Sequence, residues 1–256
     1  MTRLAYLYAV TGRGTRLPSP LLGVAEEPVR LLEHGRLAGV WSPVPAADFD
    51  EEPLRAHLED ISWLERTARA HQEVVDAVSA RAAVLPLRMA VLYRGEDALR
   101  RLLADDHDRL TGALRRLTGL TEWGVKVYVE EPAPGTGARP AASRPPATRP
   151  SGRDYLRRRV RHREREEQDW ERAAQASRLL HAQLSRVAEA ERMLRPQHGR
   201  PAHGGGRNVL NVSYLVARER EHEFVARAHE SSLPGVRVEV NGPWAPYSFA
   251  APETAQ

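Results

Sequence analysis

The 256-residue chain contains no cysteine. Disulfides, thiolate metal centres and cysteine nucleophiles are therefore excluded. Lysine is nearly absent as well: of 38 basic residues, Lys126 is the only one. Arginine keeps its proton to very high pH, so a pI near 9.7 arises even though 34 acidic residues leave a net charge of only +4. Such a balanced surface carries no strong field for nucleic acid. No apolar run approaches a membrane span, and the start, MTRLAYLYAVTGRGT, lacks the long apolar core of a signal peptide. A soluble, cytoplasmic protein is the expectation. Glycine-rich stretches are few. Those at 12–15 and 204–206 have no Lys-Ser/Thr pair of a phosphate loop, and both read as turns or loops.

What is present centres on residues 84–130. Val84 to Tyr93 is apolar apart from Arg88 and predicts a buried strand whose guanidinium needs a carboxylate or several carbonyls, fixing a domain junction. Glu96 and Asp97 open a helix with its stripe at Leu99, Leu102, Leu103, Leu110, Leu114 and Leu117, and Gly119 ends it. Val125, Val127 and Val129 alternate with polar residues as a second strand, which makes a strand–helix–strand unit.

Before this unit, Leu4 to Val10 reads as a strand, and 29–32 with 37–41 as a hairpin about His34-Gly35-Arg36. Asp48 or Asp50 caps a helix with Pro53 in its first turn and an apolar face at Leu54, Leu58, Ile61, Ala68, Val75 and Val78. Residues 131–152 hold six Pro, three Gly and five Ala with no large apolar side chain, and predict a flexible, solvated linker. A long helix follows over 153–194, its seam running Trp170, Ala173, Ser177, Leu180, Leu184, Val187, Glu191, Leu194. Strands at 209–216 and 236–240 flank a charged helix from Arg218 to about Glu230. The expected class is α+β with two domains: a small sheet domain at 1–94, and at 95–256 a modified ferredoxin-like domain with the inserted long helix and an extended tail, 242–256.

Candidate chemistry is sparse. Asp105, Asp106, His107 and Asp108 are adjacent on a helix, where side chains diverge by roughly 100° per residue and do not converge on one ion. Glu219 and His222 share a helix face but number only two. His71 sits on a buried helix face; a general base there would need a nucleophile, and no G-x-S-x-G is present. No cofactor or metal is expected. Arg153 to Arg165 holds seven arginines, a candidate nucleic-acid patch, but Arg163–Glu167 and Arg165–Asp169 are spaced as opposite-charge pairs of a solvent-facing helix. The tail NGPWAPYSFAAPETAQ presents Trp244, Tyr247 and Phe249 between prolines, to be packed back on the body or offered to a partner.

Several of these segments together resemble the gas vesicle protein GvpL/GvpF family. They are LAYLYAV, Trp63 with His71 and Val74-Val75, VLPLRMAVLY, WGVKVYVE, SGRDYLRRR, VLNVSYLVARERE and PGVRVEVNGPWAPYSFA, in the family's order over nearly the full chain. Where that family has R-F-G-T, this chain reads Arg88-Met89-Ala90-Val91. The resemblance implies a non-enzymatic accessory protein of gas vesicle formation, in the cytoplasm or on the vesicle, associated with the small hydrophobic shell protein and with other accessory proteins. It also implies two α+β domains, the second a modified ferredoxin-like fold. Trp244, Tyr247 and Phe249 are then the candidate contacts, with Arg88, His71 and Trp123 as structural support. The alternative is a nucleic-acid-binding module using the arginines that open the long helix.

Overall fold

A computed structural model describes residues 2–129, 152–195, 207–230 and 236–250. The chain packs as two compact units, residues 1–122 with 242–256, and residues 123–241. The division therefore falls at Glu122 and again at Asn241, inside two strands, and not near residue 94.

The first unit is built on β1 (Arg3–Gly12), whose residues Leu4 to Thr11 are all buried. It runs antiparallel to β3 (Leu37–Pro45), which pairs in turn with β2 (Arg30–His34) across the expected His34-Gly35-Arg36 turn. On its other side β1 pairs with two short strands, β4 (Val84–Pro86) and β5 (Leu92–Tyr93). A central strand covered on both faces is apolar throughout, which is why LAYLYAV shows no alternation of polar residues.

One face of this sheet receives α3 (Ile61–Ser79), whose Val74, Val75 and Val78 pack with Tyr6, Tyr8 and Val44. It is preceded by α1 (Ala46–Phe49) and α2 (Glu51–His57). Asp50 caps α2 through the Glu51 N–H, as its position before Pro53 suggests. The single helix expected here is two, because Asp60 starts a new one by accepting from the N–H groups of Ser62 at 2.9 Å and Trp63 at 3.3 Å.

The helix expected after residue 95 is also two, α4 (Gly95–Asp105) and α5 (His107–Leu117), with Gly119 at φ 77 beyond the second. Both belong to the first unit. Leu99 and Leu103 of α4 reach Gly39 of β3 so closely that a Cβ there would stand 3.5–3.6 Å from their methyl carbons and 3.3 Å from Leu7. The expected strand–helix–strand unit consequently does not form one sheet. Past Pro86 the Leu87 N–H still donates to the Tyr8 carbonyl at 2.9 Å, and the chain then bulges away, with Ala90 at φ 64, before it rejoins β1 at β5. Arg88 lies in this turn and is exposed, which corrects the expectation of a buried guanidinium within a strand.

The second unit contains a sheet in the order β7-β8-β6-β9, from β6 (Leu120–Val129), β7 (Ala190–Met193), β8 (Arg207–Ala217) and β9 (Val236–Trp244). Its core joins Trp123, Val125 and Val127 of β6 to Leu210, Val212, Tyr214 and Val216 of β8. It is covered by α6 (Gly152–Ser185) and α7 (Glu221–Glu230) through Leu180, Leu184, Phe224 and Ala228. The seam from Ala173 to Val187 is buried as expected. The helix stops at Ser185, however, so Glu191 belongs to β7 and Leu194 follows it. Glu191 turns back to accept from the Ser185 hydroxyl, and its Oε1 lies 3.4 Å from His181 Nε2. The linker expected at 131–152 lies outside the described residues except for Gly152, which opens α6.

Candidate functional site

The alternation Tyr6, Tyr8 on β1 places two phenols beneath α3, where His71 is 4% exposed. His71 Nε2 lies 3.1 Å from the Leu87 carbonyl oxygen, which can only accept, so Nε2 carries the proton. Nδ1 is then an acceptor, and the Tyr6 hydroxyl donates to it at 3.1 Å. The same hydroxyl accepts from the Ala90 N–H at 3.0 Å. Tyr8 exchanges a 2.7 Å bond with Ser42 and accepts from the Val24 N–H at 2.7 Å. Burial pushes His71 down to about 4 and both phenols above their ordinary range. The imidazole is neutral, closed from solvent and fully occupied. With Tyr6 it ties the 87–90 turn to β1 and α3.

The C-terminal segment adds to this cluster. Ala245 is buried, and Tyr247 packs on the same core with its ring 6.4 Å from His71. Its hydroxyl is buried without a hydrogen-bond partner among the described residues, and burial, with the charge of Asp76 second, raises it above the ordinary phenol range. The next residue is clamped at both polar atoms: the Ser248 N–H donates to Glu122 Oε2 at 2.8 Å and its hydroxyl to Oε1 at 2.5 Å. Phe249 is half-buried in a short 3-10 turn, Tyr247–Phe249. Trp244 alone among the three aromatics stands out, 46% exposed.

The structure thus brings His71, Tyr247 and, through Ser248, Glu122 into one unit. Trp123 lies in the second unit, buried beside Phe224 at 6.2 Å, its indole N–H without a partner among the described residues. Glu122 was not singled out by sequence reasoning. The available signal was a carboxylate opening an apolar strand, which must find donors if buried. Met193 and Leu194, exposed at the β7 edge, were also missed as surface features. The acidic run at 105–108 serves structure: Arg109 forks onto Asp106 at 2.6 and 3.2 Å, and His107 Nε2 accepts from the Arg36 N–H at 3.3 Å. No cluster of metal ligands occurs among the described residues. Arg163 meets Glu167 at 3.2 Å, the expected exposed pair, while the Arg165–Asp169 pair lies outside the described side chains.

These features define a class: an α+β protein with two antiparallel sheets, whose C-terminal aromatic segment is built into its body. The model of the family described as "Gas vesicle synthesis protein GvpL/GvpF" matches residues 4–251, and the chain belongs to that family. It is 51% identical over 253 residues to "Gas vesicle protein L" of Streptomyces sp. (strain CB03234), covering 97% of this chain and 93% of that one. To "Gas vesicle protein F" of the same strain it is 28% identical, over 95% and 98% of the two chains. The crystal structure of the gas vesicle protein GvpF from Anabaena sp. PCC7120 shares the fold, with a TM-score of 0.69 at 16% identity over 100% of this chain and 99% of that one. Membership of the family gives the protein a role in gas vesicle formation. Among the described residues no helix is long and apolar enough to cross a membrane.

Proposed function

We propose that the protein is a non-enzymatic accessory factor of gas vesicle formation, in the cytoplasm or on the vesicle, that binds the small hydrophobic shell protein through Trp244. Family membership supports the process. The observation that carries the contact is the contrast within the tail, where Ser248 is clamped and Tyr247 packed while the Trp244 indole is left out.

A shell subunit exposes apolar surface before it polymerises, and open strand edges aggregate. An indole on an anchored segment covers such surface with little loss of side-chain freedom. The edge strand β7, exposed at all four residues, is a second surface of the right kind, and a composition 28% charged keeps the complex soluble. The succession β6-α6-β7-β8-α7-β9 supports reading the second unit as a modified ferredoxin-like fold.

Co-purification with the shell protein tests the proposal, using the full chain and Trp244→Ala. Reduced capture by a variant with unchanged circular dichroism and unfolding midpoint is the expected result. Undiminished capture moves the contact to the β7 edge. Absence of capture by the folded native chain refutes shell-protein binding.

A further inference from the structure

Between the 23–27 loop and α3, the first unit carries a cleft of about 390 Å³, a size suited to one or two side chains of a bound segment. Its floor is apolar, with Val24 and Phe49 buried. Trp63 forms a wall, held by an indole–imidazole stack on His57 at 5.0 Å and 9°. The rim is charged: Glu26 and Asp48 face the cleft, with Arg66 on α3.

These charges are not paired with one another. Glu27, next to the cleft, is paired with Arg3, but among the described residues no ion pair joins Arg66 to Glu26 or Asp48. Asp48 Oδ1 lies 3.9 Å from His57 Nε2, within ion-pair reach but beyond hydrogen-bond distance. The loop that presents Glu26 is itself unusual. Ala25 and Glu26 both have left-handed backbones, φ 58 and 55, and are held there by Gly23 N–H to Glu27 O at 2.8 Å and Val24 N–H to the Tyr8 hydroxyl. Consecutive non-glycine residues in this region persist only where their surroundings over-determine them, and such strain gathers at ligand clamps.

We propose that this cleft binds an extended peptide segment of a protein partner, which inserts an arginine side chain between Glu26 and Asp48 and against Trp63. Two carboxylates against one guanidinium set the sign of the ligand. A planar guanidinium both stacks on an indole and donates in its own plane to carboxylates, which an ammonium does less well. Arg66, with five donors and no acceptor, holds the carbonyls of the segment's backbone. The apolar floor takes the aliphatic stem.

The test titrates the full chain with an acetylated, amidated Ala-Pro-Arg-Pro-Ala peptide and with its norleucine counterpart, followed by calorimetry and the Trp63 indole N–H resonance. The arginine peptide binds and shifts that resonance, and the norleucine peptide binds at least about tenfold more weakly. Glu26→Gln and Asp48→Asn, both at exposed positions, each lower affinity for the arginine peptide about tenfold and leave the norleucine peptide unchanged. Equal affinity for the two peptides, an unmoved Trp63 resonance, or no measurable binding in the millimolar range overturns the proposal.

Discussion

Acidification tests the His71 cluster most directly. Burial holds this imidazole near pKa 4, against 6.5 for the free side chain. Between these values the unfolded chain binds a proton that the folded chain refuses. The contribution of neutral His71 is therefore intact above pH 6.5 and is lost as pH falls from 6.5 toward 4. At pH 5 the difference amounts to about 2 kcal/mol, rising to about 3 kcal/mol at pH 4. Other carboxylates and histidines also titrate here, so the measurement is a difference. Urea unfolding of the native chain and of His71→Gln, which keeps a donor and an acceptor but does not titrate, is compared at pH 7 and pH 5. His71→Gln is less stable at pH 7 but loses about 2 kcal/mol less on acidification. The His71 ring resonance, followed directly, stays in its neutral position down to about pH 5. Parallel pH dependences for the two proteins refute the closed-cluster argument, because they require an imidazole that takes up its proton equally in both states.

Ala90 occupies a left-handed turn at φ 64, at the position where the resembling family has glycine. Ala90→Gly relieves roughly 1–2 kcal/mol of steric cost and gives back about half in unfolded-chain entropy, for a net gain of roughly 0.5–1 kcal/mol in thermal or urea unfolding. The Tyr247 hydroxyl is buried without a partner among the described residues, so Tyr247→Phe raises stability by about 1 kcal/mol where an ordinary tyrosine truncation lowers it. Glu122→Gln replaces one acceptor for Ser248 with a donor, and costs about 2 kcal/mol together with faster exchange of the Ser248 amide.

Much of the architecture was legible because its signals are local. The His34-Gly35-Arg36 turn, the Asp50 cap and the buried seam from Ala173 to Val187 follow from turn chemistry, capping and period alone. Ile61 was misplaced for a physical reason. Recapping at Asp60 resets the helical phase, so a residue in step with Leu54 becomes the first of a new helix and stands 72% exposed. The β7 strand hid inside the long helix because Glu191 and Leu194 also continue a three-four step. Arg88 misled because VLPLRMAVLY reads as one strand only if Ala90 is assumed to stay extended, whereas its φ is 64. At the tail, sequence named the three aromatics but not their division of roles, which depends on Glu122, a carboxylate 126 residues before Ser248.

That long-range clamp bears on how the protein is made. The first unit draws on both ends of the chain, residues 1–122 and 242–256, with the second unit enclosed between them. A ribosome delivers residue 241 before Tyr247 and Ser248, so the second unit has all its residues while the first still lacks part of its core. The first unit therefore departs from the usual N-terminal-first order in one respect: part of its core is supplied after the whole of the second unit. Until Ala245 to Ser248 emerge, the Tyr247 site on that core is open and Glu122 lacks the Ser248 donors. A chain ending before Ala245 would hold every residue of the second unit and a first unit without the Tyr247 ring on its core or the Ser248 donors on Glu122.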